Sequence, residues 1–355
     1  MDPKERKEII VGPAIVAVAN AARAFDAPVR YPLILKNFTL DVSNPMVSSR
    51  SIFIVLIEHI VGTVIMSILL ASKKTRQRFY EQFQSFERRD WLSFFLVSMG
   101  SGLGLYFFML ALAYGNPTVA ILLQKSQPLI TLLFAMLIIH ERPTKFYYLA
   151  LIASLVGIYF MVFESFGQES SNQLLAAIFS LIAAVFWGSN TVWGRILTEK
   201  VDYWNLTALR YVGGTILLIG FNFLVGAYTS QNFTLLSETI NTFWVPWPRE
   251  LLSADFQILM NALIAIILVT IFTGGIIPLS LYYFGLRWSR ASVGGLAELA
   301  FPLLAIFVNF IFLGFGLTDY QIIGAIILLT VVSVMSYVNR KEFEKEEVST
   351  SIESG

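Results

Sequence analysis

The fold is decided by the stretch at residues 117–140, which reads PTVAILLQKSQPLITLLFAMLIIH. One helix needs about 20 apolar residues to cross a bilayer core about 30 Å thick. The stretch is long enough for that crossing, and its one permanently charged side chain is Lys125. A water-soluble helix must present far more polar surface to solvent than this segment does. Residues 117–140 therefore predict a transmembrane helix.

Nine further stretches of the same kind lie on either side of it. The ten predicted spans are residues 9–28, 51–71, 91–114, 117–140, 145–164, 174–197, 204–228, 261–286, 291–315 and 319–338. The 355-residue chain is 56% hydrophobic and 14% charged, against roughly 25% charged in soluble domains, and its mean hydropathy is +0.69. We therefore expect an all-α, multi-pass integral protein of the cell membrane. The first span also resembles a secretory leader, but cleavage there would leave nine spans.

Composition excludes several other classes of protein. The net charge of +1 gives no basic field for nucleic acid, so we expect no nucleic-acid partner. The chain has no cysteine, which excludes disulfides and thiolate metal sites. His59 and His140 are too far apart in sequence to form a metal-ligand motif. No phosphate-binding loop is present, so energy must come from a gradient. We expect no cofactor and no metal.

The distribution of lysine and arginine predicts the orientation of the spans. With the N-terminus in the cytoplasm, the inside segments hold 18 Lys and Arg residues and the outside loops hold four, which are Arg30, Lys36, Arg50 and Arg249. Cytoplasmic loops carry the excess of positive charge in membrane proteins. Both termini are therefore predicted to be cytoplasmic, and the charged, Ser-rich residues 341–355 are predicted to be a disordered cytoplasmic tail.

The chain is predicted to be a duplication. A shift of 174 residues aligns Gly100 with Gly274 and Pro128 with Pro302, and a shift of 152 aligns residues 58–63 with residues 210–215. These matches predict one five-helix repeat at residues 1–168 and a second at 169–340. Because five is an odd number, the two repeats must have opposite orientations in the membrane. Inverted repeats build a site near the bilayer midplane and permit alternating access.

Several motifs resemble the EamA-type proteins of the drug/metabolite transporter (DMT) superfamily. They are Leu122–Pro128, His140–Thr144 with Gly157, Phe186–Asn190, Arg210 and Ala300–Pro302. The resemblance covers residues 9–338, although Val18-Ala19-Asn20 and Phe315 depart from the family pattern. It implies the DMT/EamA fold of ten helices and a secondary transporter, usually an exporter of small metabolites, amino acids or drugs.

Six charged residues lie within the predicted spans, and a charge in the middle of a span usually faces a cavity or a partner. They are Arg23, Asp26, Glu58, Lys125, Arg210 and Glu298. Three are cationic and three are anionic. This balance favours a neutral or zwitterionic cargo, or pairing among the charges themselves.

We predict that Gln124, Lys125 and Glu298 line the central cavity. Lys125 would bind a carboxylate, and Glu298 would bind an amine or a coupling proton. The alternative is a structural Lys–Glu pair between the two halves. Trp187 and Asn190 lie three residues apart on the sixth span, where they would form a substrate wall or pack against another helix.

The remaining candidate residues have structural interpretations. Arg210 and Glu58 are equivalent in the two halves, which predicts packing or ion pairing near a helix end. Pro128, Pro302, Gly102 and Gly274 permit close helix approach or supply flexing points for gating, and packing is the simpler interpretation.

Together these features predict a secondary active exporter of small neutral or zwitterionic metabolites, either amino acids or drug-like amphiphiles. The alternative within transport is a nucleotide-sugar or phosphate-ester antiporter, which the balanced charges disfavour. A receptor or scaffold is the alternative outside transport. An enzyme is not expected, since no acidic or histidine residues converge at one depth. The expected partners are a small-molecule substrate, the lipid bilayer and a coupling proton; the oligomeric state is left open.

Overall fold

The computed structural model describes residues 11–34, 46–138, 140, 145–162, 171–198, 200–201, 203–229, 263–278, 281, 300–331, 333–334 and 337. Among those residues the regular secondary structure is helical throughout. The helices are α1 (Gly12–Arg23), α2 (Asp26–Ile34), α3 (Met46–Leu69), α4 (Lys73–Gln84), α5 (Arg88–Tyr114), α6 (Pro117–Gln124), α7 (Gln127–Ile138), α8 (Lys145–Val162), α9 (Ser171–Thr198), α10 (Tyr203–Thr229), α11 (Leu263–Pro278), α12 (Ala300–Leu313) and α13 (Asp319–Val331).

Five helical segments are long and apolar enough to cross a membrane. They are Arg50–Leu69, Arg88–Tyr114, Pro117–Ile138, Asn172–Gly194 and Trp204–Leu224. Shorter apolar helices occupy four of the other predicted spans. Large apolar side chains also face outward; on α12, for example, Phe310 is 62% exposed and Ile311 is 72% exposed. Such a surface is stable against lipid, and the chain is a multi-pass integral membrane protein of the cell membrane.

The first predicted span differs from the structure at its C-terminal end. The helix is interrupted at Ala24 and Phe25, and α2 then continues to Ile34. Arg30, which the sequence places in an outer loop, is therefore a helical residue and is 2% exposed. Its burial is possible because Asp26 lies one helical turn earlier and forms an ion pair with it.

The fourth predicted span is two helices in the structure. α6 ends at Gln124, Lys125 and Ser126 form a turn, and α7 begins at Gln127. Pro128 accounts for the break, because proline has no N–H group to bond the carbonyl of Gln124 one turn earlier. The break leaves a short non-helical segment inside an otherwise continuous apolar stretch.

Helices from the two halves of the chain pack closely against each other. A Cβ added at Gly100 of α5 would lie 2.8 Å from the carbonyl oxygen of Phe186 on α9, so this contact requires glycine. Helices α3 and α10 pack through a reciprocal contact. The Tyr211 ring lies against Gly62, the His59 ring lies against Gly214, and the two ring centroids are 5.6 Å apart.

A π-helical turn interrupts α11 at Val269–Thr273. The N–H of Gly274 donates to the carbonyl of Val269 at 2.9 Å, which spans five residues where an α-helix spans four. Such turns are frequent at functional sites. Here the turn places Thr273 beside Asp26 of α2.

Candidate functional site

Lys125 lies at the break in the fourth span and contacts an aromatic ring from the second half of the chain. It follows the last residue of α6, and its backbone N–H donates to the carbonyl of Leu122 at 3.0 Å. Its Nζ is 4.5 Å from the centroid of the Phe301 ring. Phe301 is in the first turn of α12 and is 3% exposed. The face of an aromatic ring attracts an ammonium group, so this cation–π contact helps to position Lys125.

A second cation approaches the same ring. The guanidinium carbon of Arg23, in the last turn of α1, is 5.5 Å from the centroid of Phe301. Three helices, α1, α6 and α12, therefore converge on one aromatic side chain. The arrangement combines an apolar ring with two positive groups, which suits a ligand that has a flat apolar part and hydrogen-bond acceptors.

Polar neighbours of Lys125 add to this site. Gln124 is 4% exposed, and Ser126 is also 4% exposed. The Ser126 hydroxyl makes no hydrogen bond within the described part of the chain. A buried hydroxyl without a partner is costly, so a polar ligand at the break would satisfy it. Discontinuous membrane helices commonly bind substrate at such breaks.

The structure places Trp187 and Asn190 on the face of α9 that meets α5. The Trp187 ring is 5.5 Å from that of Phe108, and its Nε1 would be 2.7 Å from a Cβ added at Gly104. Asn190 is 6% exposed and packs against Gly100 of α5. Trp187 borders the same apolar cluster that contains Phe301. Both residues pack between α9 and α5, and their predicted contact with substrate stays a prediction.

The other predicted residues occupy separate positions. Pro302 is buried beside Phe301, and a Cβ at Gly102 would meet Leu218 of α10. Pro128 lies in the first turn of α7. Glu298, the predicted partner of Lys125, lies outside the described residues. The predicted Lys125–Glu298 pair thus stays a prediction.

Glu58 forms an ion pair that the sequence analysis missed. Its cation is Arg30 of α2, whose Nη1 donates to Oε1 of Glu58. The Nε of Arg30 also lies 2.8 Å from Oδ2 of Asp26. Arg210 occupies the position equivalent to Glu58 under the 152-residue shift. It is partly buried and lies within electrostatic range of His59 and Tyr211. The four-residue spacing of Asp26 and Arg30 was the available signal, because it indicates a helix that continues past residue 28.

The described residues contain no group of three or more histidine, aspartate or glutamate side chains that would hold a metal ion.

Known proteins resemble this chain in sequence. The sequence profile of the EamA-like transporter family matches residues 43–163 and again residues 174–337. The riboflavin transporter ImpX of Fusobacterium nucleatum subsp. nucleatum is 28% identical over 294 residues, which is 81% of this chain and 88% of that protein. The uncharacterized transporter YoaV of Bacillus subtilis is 23% identical over 252 residues, which is 69% of this chain and 75% of that protein.

One solved crystal structure aligns with 93% of this chain and 97% of its own at a TM-score of 0.49 and 15% identity. The two profile matches cover well over half of the 355 residues. The matched ranges contain the motifs around Lys125, Trp187 and Phe301. The resemblance predicted from those motifs is confirmed, and the chain belongs to the EamA-like transporter family of the drug/metabolite transporter superfamily.

Proposed function

We propose that the protein is a secondary active transporter of small neutral or zwitterionic metabolites, with export as the expected direction. It would work by alternating access around a midplane cavity. The cavity would lie between two inverted five-helix repeats, at residues 1–168 and 169–340, with ten spans in all and with both termini and the 341–355 tail in the cytoplasm. The family membership supports transport, and the following contacts support the finer points.

The reciprocal packing of α3 and α10 supports the repeat. The shift of 152 residues that aligns the halves exchanges His59 with Tyr211 and Gly62 with Gly214. In the structure each ring of this set lies against the glycine from the other half. A pair of contacts that exchange in this way is expected where two equivalent units meet about a two-fold axis.

The observation that carries the proposal is the approach of Lys125 to Phe301. It brings a cation from a broken helix in the first half against a buried ring in the second half, with Nζ 4.5 Å from the ring centroid. A cargo bound there would contact both halves, as alternating access requires. The ammonium group would donate to a carboxylate or carbonyl, and the ring would stack on a flat apolar part of the cargo.

Riboflavin is the first cargo to test. One relative is named a riboflavin transporter, and riboflavin is a neutral, flat ring system with carbonyl oxygens and a polyol chain. That chemistry matches a site with an aromatic ring, an ammonium group and a buried hydroxyl at Ser126. Aromatic amino acids are the zwitterionic class with the same combination of ring and acceptor.

Counterflow in proteoliposomes tests the proposal. Vesicles preloaded with riboflavin or with a mixture of neutral and aromatic amino acids receive trace labelled cargo outside. We expect saturable exchange by the wild type and loss of exchange by Lys125→Ala, because the variant removes the donor at the break. Arg88→Ala, which removes an exposed cation at the start of α5, is the matched control. Normal exchange by a folded Lys125→Ala variant would falsify the assignment of the site.

A phosphate-ester or nucleotide-sugar antiporter is the second candidate, and one observation favours it. Arg23 and Lys125 both approach Phe301, and two neighbouring cations favour a phosphate group. Competition in the same counterflow assay separates the candidates. Inhibition by a nucleotide sugar that is lost in Arg23→Gln would favour the second candidate, whereas inhibition by riboflavin alone would exclude it.

A further inference from the structure

A buried cluster of charges lies apart from the Lys125 site. It consists of Asp26, Arg30 and Glu58, which are 8%, 2% and 5% exposed. The guanidinium group of Arg30 contacts both carboxylates: Nε lies 2.8 Å from Oδ2 of Asp26, and Nη1 donates to Oε1 of Glu58. Charged groups in a membrane interior are costly and usually mark functional sites, with proton relays among the common ones.

The cluster contains one more acid than base. When both carboxylates are ionised, Asp26, Arg30 and Glu58 together carry one negative charge. Groups from three other helices lie around them. Met109 of α5 contacts Arg30, and Thr273 of α11 contacts Asp26. His59 follows Glu58 on α3, where it lies beside Ser101 of α5 and Tyr211 of α10 and within electrostatic range of Arg210. One bound proton would neutralise the three-residue cluster, and two carboxylates that share a site favour such a proton.

The contacts of the four carboxylate oxygens indicate where that proton would bind. Oδ2 of Asp26 is paired with Arg30, and Oδ1 accepts a hydrogen bond from the hydroxyl of Thr273 at 3.2 Å. Oε1 of Glu58 accepts from Arg30. Within the described residues, no hydrogen bond or ion pair reaches Oε2 of Glu58. Protonation at Oε2 therefore breaks no existing contact there.

The same cluster joins the two halves of the chain. Asp26 and Glu58 belong to the first half, and Thr273 lies in the π-helical turn of the second half. A Cβ added at Gly274 would lie 2.6 Å from Nη2 of Arg30, so the backbone of the turn packs directly on the guanidinium group. Because Arg30 is shared between the two carboxylates, a change of charge at Glu58 would change the strength of the Arg30–Asp26 ion pair. Asp26 also accepts the hydrogen bond of Thr273, so that contact would change with it.

We infer that Glu58 is the group that carries a coupling proton, with Arg30 and Asp26 as the positioning residues that link it to the π-helical turn. The inference rests on the proposed transport function and moves the coupling site from Glu298 to the Asp26–Arg30–Glu58 cluster. The step is a proton transfer: Oε2 of Glu58 gains a proton from one side of the membrane and releases it to the other. No other bond is formed or broken.

The first test does not depend on the cargo. Infrared difference spectra of the full-length protein in lipid are recorded between mildly acidic and mildly alkaline buffer. We expect the carbonyl stretch of a protonated carboxylic acid in the wild type, its loss in Glu58→Gln, and a shifted band in Glu58→Asp. Glu81→Gln is the matched control, because Glu81 is exposed on α4. Absence of the band from the wild type, or its persistence in a folded Glu58→Gln variant, overturns the inference.

The second test separates coupling from transport. Counterflow needs no driving gradient, whereas accumulation against a concentration gradient does. We expect Glu58→Gln to keep riboflavin counterflow and to reduce accumulation driven by a pH gradient by roughly 5- to 150-fold, the usual range for coupling between two sites. Unchanged gradient-driven accumulation overturns the inference. If the wild type moves neither riboflavin nor amino acids, the cargo proposal fails, and the infrared band still decides the proton site.

Discussion

The hydroxyl oxygens of Thr63 and Thr215 lie 2.9 Å apart, and the two residues are equivalent under the 152-residue shift. Equivalent residues touch each other where the axis that relates two units passes between them. The ring-on-glycine contacts of Tyr211 with Gly62 and of His59 with Gly214 lie one turn away. These exchanged contacts between α3 and α10 are the ones expected if the proposed repeats are related by a two-fold axis that passes between Thr63 and Thr215.

The Thr63–Thr215 hydrogen bond is expected to couple the two helices energetically. The hydroxyl of Thr215 also donates to the carbonyl of Tyr211 at 2.8 Å, so Thr63 is the donor between the pair. A double-mutant cycle with Thr63→Val and Thr215→Val should give a coupling energy of about 0.6 kcal/mol, with about 1.7 kcal/mol as the upper end for membrane helices. Denaturant titration in detergent measures it. Strictly additive losses would contradict the contact.

The glycines at this interface are expected to tolerate no side chain. A Cβ at Gly62 would lie 2.3 Å from the Tyr211 ring, and one at Gly214 would lie 2.6 Å from the His59 ring. Each alanine variant should lose about 1–3 kcal/mol of unfolding free energy, as overpacked cores do. Gly220→Ala is the control, because nothing lies within 4 Å of its added Cβ. That variant should be neutral or gain up to about 1 kcal/mol from helix propensity.

Arg30 is expected to be essential for stability. Arg30→Met leaves the carboxylates of Asp26 and Glu58 buried without their cation, which should cost about 3–5 kcal/mol. The triple variant with Asp26→Asn and Glu58→Gln removes the uncompensated charge and should regain most of that loss. Thermal unfolding in one detergent compares the three proteins. Equal stability of the single and triple variants would show that the charges do not interact.

Lys200 is expected to keep α9 and α5 together at the end of the protein where α9 ends and α5 begins. Its Nζ lies 2.7 Å from Oδ2 of Asp90 and 3.2 Å from Oε1 of Glu87, which joins the residues after α9 to the start of α5. The hydrogen bonds to Asp90 and Glu87 raise the pKa of Lys200. The contact is therefore fully present below the ordinary lysine pKa and is lost as the pH rises through the raised value.

Thiol labelling checks this expectation, because the chain has no cysteine of its own. A cysteine introduced at Val201, which is 2% exposed, should react faster in Lys200→Met than in the protein that retains Lys200. Alkaline buffer ionises the thiol and so speeds its labelling in both proteins. Where Lys200 is present, labelling should speed up further, because deprotonation of Lys200 breaks its ion pairs. An identical pH profile in both proteins would exclude the role of Lys200.

Much of the fold was predictable because apolar length is a strong signal. The five long apolar helical segments coincide with the predicted spans at residues 51–71, 91–114, 117–140, 174–197 and 204–228. Arg30 was predicted to lie in an outer loop, because the charge of an arginine lowers the average hydropathy and so marks an end of the span. In the structure the ion pair with Asp26 allows the helix to continue past it. Removing Arg30 from the outer loops only increases the inside excess of positive charge, so the predicted orientation is unaffected.

The candidate site was less predictable, because contacts between distant helices depend on how each helix is rotated. Lys125 and Phe301 were both in motifs of the family, yet their contact follows from the break that Pro128 imposes on the fourth span. The ion pair between Arg30 and Glu58 joins residues 28 positions apart on separate helices. No spacing rule within one helix predicts it.

Because of the π-helical turn at Val269–Thr273, the contacts of α11 with α2 depend on the number of residues in α11 as well as on which residues they are. Each residue of a helix advances the side-chain direction by about 100°, so deleting one residue before Thr273 would rotate it and Gly274 away from Asp26 and Arg30. The side of α11 that faces α2 thus depends on the one extra residue in the π-helical turn. Relatives that keep every polar residue of the cluster but lack this extra residue would present the same chemical groups in an arrangement unable to meet.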